Sequence, residues 1–381
     1  MERKTAVWFL PDDMTLTEEK TPLVLQSVMF CPILSWTGAE LTERGIERLF
    51  IVSDKIVHER LRPFAPEGAV FVDGAKHAEE LLRLLEGETG EVVVLNGAVL
   101  PVGVFSGGAV YAAKAEAVRA VLEEHGAFAA FPKGAEVLQG FLPVGDEEEL
   151  NAAQPMCRQK ILQRLLGGGV RILDTNNCYV DPRVKIGAGT VLLPGTILRG
   201  ETVIGTGCTI GPNTMLTGCT VGNETEVNAS QATDSRIGSH TSVGPFAYLR
   251  PNSTVGDHVK VGDFVEVKNS VIGNGTKISH LTYVGDSDVG ERVNFGCGTV
   301  TTNYDGFQKY RCTIGDDVFL GCNTNLIAPV TVGRGSYTAA GSTITKDVPE
   351  DALAVARARQ ENKDGWAAKN RALKRKSKTL D

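Results

Sequence analysis

The chain repeats an aliphatic residue at every sixth position between about Tyr179 and Ile344. Glycine follows the aliphatic residue fourteen times. A period of six matches neither a helix, at about 3.6 residues per turn, nor a single strand, at about 2. It predicts a solenoid of very short strands, each burying one aliphatic side chain before a turn, with stacked coils sharing one core. The repeat comprises three runs: Ile186, Leu192, Leu198, Ile204, Ile210 and Leu216; Ile237, Val243, Leu249, Val255, Val261 and Val267; and Ile314, Leu320, Leu326, Val332 and Ile344.

The first part of the chain has a different pattern, in which apolar runs alternate with helical segments. This alternation predicts a small α/β domain with a mostly parallel sheet. The predicted strands are Thr5–Leu10, Arg48–Ser53 and Glu91–Asn96, and the predicted helices are Pro22–Arg44, Ala78–Leu85, Ala112–Glu124 and the connector Glu147–Leu166. A basic tail from Arg357 is predicted to be helical. The predicted domains are residues 1–145 (α/β), 146–168 (connector), 169–347 (solenoid) and 348–381 (tail).

Composition narrows the function classes. The net charge of −7 disfavours nucleic acid as the main partner. We find neither a membrane-spanning apolar stretch nor a signal-peptide pattern, and therefore expect a cytoplasmic protein. Eight cysteines lack any C-x-x-C pair, which indicates free thiols and no structural zinc. Cys208 and Cys219 are expected to fill the solenoid wall.

The repeat breaks between Gly296 and Thr313, and such a break predicts a loop on the binding face. The sequence SHLTYVGD (279–286) precedes this break, and NYDGFQK (303–309) lies within it. In these segments the chain resembles the acetyltransferase half of the bacterial bifunctional N-acetylglucosamine-1-phosphate uridyltransferase/glucosamine-1-phosphate N-acetyltransferase family, from about Gly169 to the tail. The resemblance implies a left-handed parallel β-helix, a homotrimer, and acetyl transfer from acetyl-CoA to glucosamine 1-phosphate. The product, N-acetylglucosamine 1-phosphate, would supply UDP-N-acetylglucosamine and cell-wall synthesis.

The resemblance also assigns roles to individual residues. His280 matches the general base, and Asn303 and Tyr304 match residues that orient the base and substrate and stabilise the oxyanion. The phosphate contacts would be Arg250, Lys268 and Lys309, and the sugar contacts Tyr283 and Asn294. Acetyl-CoA contacts would be Cys297, Cys322, Ala340 and Arg357, where both cysteines replace the usual small residues. Independently of the resemblance, Arg250 and Lys268 are eighteen residues apart, or three hexads, which predicts one edge of the solenoid.

The N-terminal domain resembles a shortened, degenerate copy of the family's uridyltransferase, over Lys20 to Val52 in particular. Its first loop, from Leu10 to Lys20, has four carboxylates and no glycine, which is unfavourable for a nucleotide triphosphate. Ala98 occupies the position of the family's Mg²⁺-binding aspartate, so we expect the metal site and the uridyltransferase activity to be lost. Two alternatives stay open. One is a bifunctional enzyme that retains the diphosphorylase activity, and the other is a non-catalytic trimeric scaffold or regulatory protein.

Overall fold

The structure, a computed structural model, describes residues 3–10, 21–102, 108–125, 132 and 134–377. Most of the acidic loop between Leu10 and Lys20 therefore lies outside the described residues. Within them, the chain forms an α/β domain, a long connecting helix and a three-sided solenoid. The predicted fold class, an α/β domain followed by a left-handed parallel β-helix of hexapeptide repeats, is confirmed.

The N-terminal domain is built on a six-stranded sheet in the order β5-β4-β1-β6-β8-β9. The first four of these strands are parallel, and β8 and β9 are antiparallel to their neighbours. Apolar side chains on both faces of β1 are buried, as expected of a parallel sheet covered on both sides. The strands are β1 Thr5–Phe9, β2 Ser27–Val28, β3 Cys31–Pro32, β4 Arg48–Ser53, β5 Val70–Asp73, β6 Glu91–Asn96, β7 Ala98–Leu100, β8 Val110–Lys114, β9 Glu136–Val137 and β10 Leu142–Val144. The helices are α1 Ile33–Glu43, α2 His58–Leu61, α3 His77–Leu84, α4 Ala115–His125, α5 Glu147–Gly167 and α6 Trp366–Ser377, with 3₁₀ turns at Leu23–Leu25, Lys55–Val57, Arg62–Phe64 and Gly74–Lys76.

Three of the predicted helices begin later than expected. Helix α1 starts only at Ile33, because a hairpin of β2 and β3 precedes it and Pro32 occupies its N-cap position. The segment predicted to be helical from Ala112 begins as β8, which pairs with β6, so tertiary pairing overrides the helical propensity of its alanines. The tail is helical only from Trp366.

Helix α5 joins the two parts of the molecule. The Asp146 side chain caps its N-terminus by accepting a hydrogen bond from the Glu149 N–H at 2.8 Å. The buried residues of the helix, including Cys157 and Ile161, belong to a core that continues from the α/β domain into the solenoid. The solenoid is therefore packed against a folded support at its N-terminal end.

The solenoid has three parallel sheets, here called faces A, B and C, and the chain visits them in that order. Face A contains Arg171–Ile172, Val191–Leu192, Thr209–Ile210, Glu226–Val227, Ser242–Val243, Lys260–Asp263, Lys277–His280, Asn294–Phe295, Phe319–Leu320, Tyr337–Thr338 and Leu353–Ala354. Face B contains Cys178–Val180, Thr196–Arg199, Met215–Thr217, Gln231–Thr233, Tyr248–Leu249, Glu266–Lys268, Tyr283–Gly285, Val300–Thr302, Asn325–Ile327 and Thr343–Ile344. Face C contains Lys185–Ile186, Val203–Ile204, Thr220–Val221, Arg236–Ile237, Thr254–Val255, Val271–Ile272, Ser287–Val289, Cys312–Ile314 and Val330–Val332.

The hexad residues form the core of the solenoid. Leu192, Leu249 and Ile278 are fully buried, and each lies directly above or below the hexad residue of the neighbouring coil. Buried hydroxyls satisfy the turn carbonyls; Thr241 Oγ1, for example, donates to the Gly256 carbonyl at 2.9 Å. Cys208 and Cys219 are buried as predicted, and all eight cysteines are free thiols. Among the described residues, no helix is long and apolar enough to span a membrane.

Three edges join the faces. The first edge lies between faces A and B, the second between B and C, and the third between C and A of the next coil. Successive coils place equivalent residues one above another along each edge, with a spacing of about 4.8 Å. Residues that are 17 or 18 positions apart in sequence therefore become neighbours in space.

Candidate active site

His280 lies at the first edge, at the end of a face A strand, and its side chain is 56% exposed. Its Nδ1 is 2.5 Å from Oδ1 of Asp263, the residue in register on the preceding coil. The hydrogen bond from His280 lowers the pKa of Asp263, so this carboxylate is ionised at neutral pH. A carboxylate on Nδ1 holds the ring in the tautomer that leaves Nε2 free to accept a proton.

A glycine in the preceding coil permits this contact. A Cβ added to Gly262 would lie 2.0 Å from the backbone carbonyl oxygen of Ser279. Any larger residue would push the two coils apart where Asp263 meets His280. The close approach of the backbones therefore positions the imidazole against its carboxylate partner.

The first edge continues beyond His280 as a column of the residues predicted to contact acetyl-CoA. Cys297, Cys322 and Ala340 occupy equivalent positions on successive coils, because the Asn323 N–H donates to the Cys297 carbonyl and the Gly341 N–H to the Cys322 carbonyl, both at 2.8 Å. Cys322 and Ala340 are exposed and Cys297 is half-buried. Arg357 is also exposed and lies beside Gly341. The column therefore runs from the imidazole along an accessible edge.

The second edge holds three cations. Arg250 follows Leu249, which pairs with Val267, so Arg250 lies directly beside Lys268 as the spacing predicted. Lys309, on the loop, lies close enough to Lys268 for the two groups to affect each other's protonation. The Lys268 ammonium lowers the pKa of Lys309, and the pKa of Lys268 is raised because Lys309 can accept a hydrogen bond from it once Lys309 has lost its proton, and because the Asp286 carboxylate is nearby. Two adjacent ammonium groups favour a bound anion.

Asp286 is a buried carboxylate that contacts several residues of the second edge. It is only 4% exposed and accepts hydrogen bonds from the side-chain amides of Asn269, at 2.5 Å, and Asn303, and lies 3.5 Å from Lys268 Nζ. Burial alone would raise the pKa of Asp286, but the two amide hydrogen bonds and the Lys268 charge lower it overall. Because Asn303 is itself buried, this network fixes the start of the loop against the cations.

Tyr283 lies on face B between the two edges. Its hydroxyl accepts a hydrogen bond from Asn303 Nδ2 at 3.4 Å. A Cβ at Gly285 would come within 2.3 Å of that hydroxyl, so glycine leaves room for the ring. Asn294, by contrast, lies on face A, in register between Lys277 and Phe319. Within one chain the two predicted sugar contacts are therefore on different faces.

The break in the repeat is a short loop, as predicted. Asn303 and Tyr310 close it with a backbone hydrogen bond of 2.9 Å, and the Asp305 side chain accepts from the N–H groups of Phe307 and Gln308 at 2.8 Å each. Tyr304 is exposed, and its hydroxyl donates to the Gly306 carbonyl. Within the described part of the chain, the Tyr304 N–H has no acceptor and is available to a ligand.

Face B separates the imidazole from the cations. Gly285 is five residues after His280, so their backbones are at most about 17 Å apart, and Lys268 pairs with Gly285 on the neighbouring coil, about 4.8 Å away. The side chains of His280 and Lys268 narrow this gap, and Tyr283 lies on the surface between them. The arrangement can hold a small molecule with an anionic group at one end and a proton donor at the other.

The sequence did not point to Asp263 or Asp286, although both organise the site. The signal that could have found them is the coil length. Asp263 precedes His280 by seventeen residues, and Asp286 follows Lys268 by eighteen. Each separation corresponds to one coil, which places each carboxylate next to a predicted functional residue.

The position in the N-terminal domain at which the resemblance places a Mg²⁺-binding aspartate is apolar. Ala98 is 5% exposed and pairs with Val144 of β10. A cavity of about 640 Å³ adjoins it, bordered mostly by apolar residues such as Leu142, Ala153 and Met156. Among the described residues, no cluster of three His, Cys, Asp or Glu side chains could hold a metal ion.

Comparison with known proteins finds a family that matches the repeat and relatives that match a larger part of the chain. The bacterial transferase hexapeptide (six repeats) family matches residues 183–218, 234–269 and 311–346. The bifunctional protein GlmU of Geobacillus sp. (strain WCH70) is 51% identical over 223 residues, covering 58% of this chain and 49% of that protein. GlmU of Clostridium perfringens (strain SM101 / Type A) is 52% identical over 230 residues, covering 60% of this chain and 51% of that protein. The chain thus spans about half the length of the curated relatives it matches.

Solved structures with a related arrangement are more distant. The UDP-N-acetylglucosamine acyltransferase of Arabidopsis is 19% identical, with a TM-score of 0.29, covering 49% of this chain and 65% of that chain. LpxA of Acinetobacter baumannii is 17% identical, with a TM-score of 0.25, covering 51% of this chain and 77% of that chain.

Proposed function

We propose that this protein transfers the acetyl group of acetyl-CoA to the amine of glucosamine 1-phosphate, giving N-acetylglucosamine 1-phosphate for UDP-N-acetylglucosamine and cell-wall synthesis. One observation carries the proposal most: the Asp263–His280 pair lies across face B from three cations. A base at one edge and an anion site at the other match an amino-sugar phosphate. The sequence identity of 51% and 52% to the two GlmU relatives supports the same assignment.

His280 acts as the general base in this proposal. The amine lone pair attacks the thioester carbonyl carbon, the carbonyl electrons move to oxygen, and the nitrogen loses a proton to His280 Nε2. Collapse of the tetrahedral intermediate breaks the C–S bond, and the proton passes to the departing thiolate. The Asp263 carboxylate stabilises the imidazolium that exists between these steps.

The loop supplies the electrostatic help that the intermediate needs. The Tyr304 N–H is the candidate oxyanion donor, because a backbone donor fixed in place loses no orientational freedom when charge develops. Asn303 holds that part of the loop through its hydrogen bond to Asp286. Removing one such donor typically costs about 100-fold to 1,000-fold in turnover.

The cations of the second edge hold the phosphate. Arg250 is the residue able to bind phosphate through two parallel hydrogen bonds, although here it donates to Glu266 at 2.9 Å and would have to turn toward the ligand. Lys268 and Lys309 act as point charges. A phosphate dianion relieves the repulsion between these two ammonium groups, which favours binding when both are protonated.

Acetyl-CoA extends along the first edge past Cys297, Cys322, Ala340 and Arg357 in this proposal. The column begins one coil from His280 and so leads the thioester toward the base. Asn294 lies on the far side of the same edge from Tyr283. It can contact the sugar only around that edge or from a neighbouring chain, which favours the homotrimer suggested by the resemblance.

The division of the chain follows from this assignment. We propose residues 1–145 as a degenerate nucleotidyltransferase-like domain, 146–168 as a connector, 169–347 as the acetyltransferase and 348–381 as a tail. Ala98, buried where the family binds Mg²⁺, supports loss of the uridyltransferase. The bifunctional reading remains the second candidate because the relatives are named bifunctional proteins.

One assay tests the main proposal. Acetyl-CoA and glucosamine 1-phosphate are incubated with the protein, and free thiol is measured alongside the acetylated sugar phosphate. Equal amounts of both products are expected. No thiol release above the protein-free rate, with folded protein, would overturn the proposal. A parallel reaction with UTP, N-acetylglucosamine 1-phosphate and Mg²⁺ measures pyrophosphate, and its release would restore the bifunctional alternative.

A further inference from the structure

A second cationic cleft lies far along the solenoid from the proposed active site, where the β2–β3 hairpin and helix α5 meet the first two strands of face B. We name it the hairpin cleft. Its volume is about 550 Å³, which is in the range of small-molecule sites. It is bordered by Phe30, Asn151, Gln154, Arg158, Tyr179 and Arg199, among others. None of the described residues that border it is an aspartate or glutamate.

The two arginines keep donors available. The Arg199 guanidinium stacks on the Phe30 ring, with Cζ 4.9 Å from the ring centroid, and that of Arg158 stacks on Tyr179 at 5.3 Å. Stacking occupies the flat face of a guanidinium and leaves its N–H edge free to bind an oxyanion. Arg158 uses one donor, to the Asn176 carbonyl at 2.8 Å. Within the described ranges, neither arginine has a carboxylate partner.

The absence of a counter-charge matters because the protein as a whole is acidic, with a net charge of −7. Arg183 is different. It also donates a hydrogen bond to the Phe30 carbonyl, but its charge is neutralised by Asp181, which accepts two hydrogen bonds from it at 2.9 and 2.7 Å. The two arginines of the hairpin cleft thus differ from their neighbour. Two forked cations facing one cavity are suited to phosphate oxygens.

The backbone of the hairpin is also unusual. Its two turn residues, Met29 and Phe30, have φ of 47° and 68°. Such turns normally use Asn and Gly, since bulky residues are strained in the left-handed region. Strain of this kind is retained where surrounding structure enforces it, often at binding sites. Here Met29 N–H donates to Gln154 at 3.1 Å, which holds Phe30 beneath Arg199 and leaves the Gln154 amide N–H groups for a ligand.

We propose that the hairpin cleft binds a phosphorylated small molecule of nucleotide size, with Arg158 and Arg199 on its phosphate and the amides of Asn151 and Gln154 on its polar edge. Both a nucleoside phosphate and a sugar phosphate present this chemistry. Because the cleft joins α5 and the hairpin to the solenoid, the ligand would also tie the N-terminal domain to the acetyltransferase.

Calorimetric titration of the full chain tests the site. The probes are UDP, glucose 1-phosphate and inorganic phosphate, each at constant ionic strength. The sugar phosphate is titrated into the Lys268→Ala variant, since the proposed active site also takes that ligand. We expect at least one organic probe to bind, and which of the two binds more tightly identifies the source of the phosphate.

The variants decide whether binding occurs in the cleft. Arg158→Gln and Arg199→Gln should each weaken the affinity at least about tenfold, as expected for loss of a charged hydrogen bond. Arg236→Gln, at an exposed position on face C, should leave it unchanged. Binding of no probe to the wild type, or equal affinity in wild type and both variants, would overturn the proposal. If circular dichroism shows that a Gln variant is unfolded, the Lys variant replaces it; Lys lacks the fork, so unchanged affinity there would equally refute the site. None of these titrations requires the proposed acetyltransfer to occur.

Discussion

The N-terminal domain and the solenoid differ in whether they bury charged side chains. In the solenoid, the buried side chains include the carboxylates Asp181 and Asp286 and the amide Asn303. Among the described residues of the N-terminal domain, no Asp, Glu, Lys or Arg is buried, and Ala98, where the resemblance places the family's metal ligand, is apolar. Charged groups cost free energy when they are removed from water, so each of these carboxylates is buried with a cationic partner, Asp181 with Arg183 and Asp286 with Lys268 at the proposed site. The comparison supports the proposal that the solenoid carries the active site and that the N-terminal sheet has a supporting role.

The same contrast appears in exposure. His280 and Tyr304 are each more than half exposed, which suits the substrate-contacting roles proposed for them. The N-terminal cavity beside Ala98, by contrast, is bordered mostly by apolar side chains. Changes at the solenoid edges should therefore affect turnover strongly, whereas changes at Ala98 should affect stability alone.

The largest effect is expected for His280→Ala. Loss of the general base should lower kcat by about 100-fold to 10,000-fold, with little change in KM for the sugar phosphate. Steady-state thiol release measures both constants. His258→Ala is the matched control, because His258 is an exposed histidine at the third edge and should leave both constants unchanged. Full turnover in His280→Ala would remove the base from the proposed mechanism.

A smaller loss, about tenfold to 100-fold in kcat, is expected for Asp263→Asn, because the imidazolium loses its carboxylate partner and the ring its fixed tautomer. Asp263→Glu should recover part of the rate, and Asp257→Asn, at the third edge, serves as the control. A loss of rate that is fully accounted for by a loss of folded protein would indicate a structural role only.

Lys268→Ala should act on binding. Removing one charge from the phosphate site is expected to raise KM for glucosamine 1-phosphate about tenfold to 100-fold, in line with the loss of a charged hydrogen bond. The KM for acetyl-CoA should stay near its wild-type value, since its proposed site is the other edge. Lys55→Ala, in the N-terminal domain, is the control. Equal increases in both KM values would mean that the two edges are not separate sites.

Sequence reasoning predicted the solenoid well because its signal is repeated. Each hexad position makes the same demand, burial of one aliphatic side chain, so errors at single positions do not change the result. The stacking of Arg250 on Lys268 follows from coil length alone. The helix predicted from Pro22 failed for the opposite reason: a hairpin at Met29 and Phe30, stabilised by contacts with α5, overrides the local pattern.

The site was only partly predictable. The resemblance pointed to His280 and the cations, but a carboxylate such as Asp286 is recognised only when the register brings Asn269, Lys268 and Asn303 around it. Lys268 and Asn269 come from the coil before Asp286, and Asn303 comes from the loop after the next coil. The separation of Tyr283 and Asn294 onto different faces also needed the structure, because spacing in sequence does not say on which side of an edge a residue lies.

Asp286→Asn should lower stability at neutral pH by about 1–3 kcal/mol, since a buried charged hydrogen-bond network loses its acceptor. The folded protein lowers the pKa of Asp286, so its contribution is complete above the unfolded value of about 3.9 and is lost as pH falls through the lower folded value. Denaturant unfolding at several pH values should therefore show a wild-type advantage at pH 7 that shrinks below about pH 4. Asp288→Asn, half exposed, is the control. A difference that is independent of pH would contradict the role of this charge.

The smallest effect on acetyl transfer is expected for Ala98→Asp. This variant tests the difference between the N-terminal domain and the solenoid most directly. The variant places an aspartate where the resemblance puts the family's metal ligand, yet the charge stands in an apolar environment and should lower stability by about 1–3 kcal/mol. Ala98→Ser controls for added size. Acetyl transfer should be unchanged in both, and neither should release pyrophosphate from UTP with Mg²⁺, because one carboxylate does not rebuild a nucleotide site among apolar side chains. Magnesium-dependent pyrophosphate release by Ala98→Asp would contradict this prediction. It would show that the N-terminal domain lacks a single metal ligand, and that one substitution accounts for its difference from a working nucleotidyltransferase.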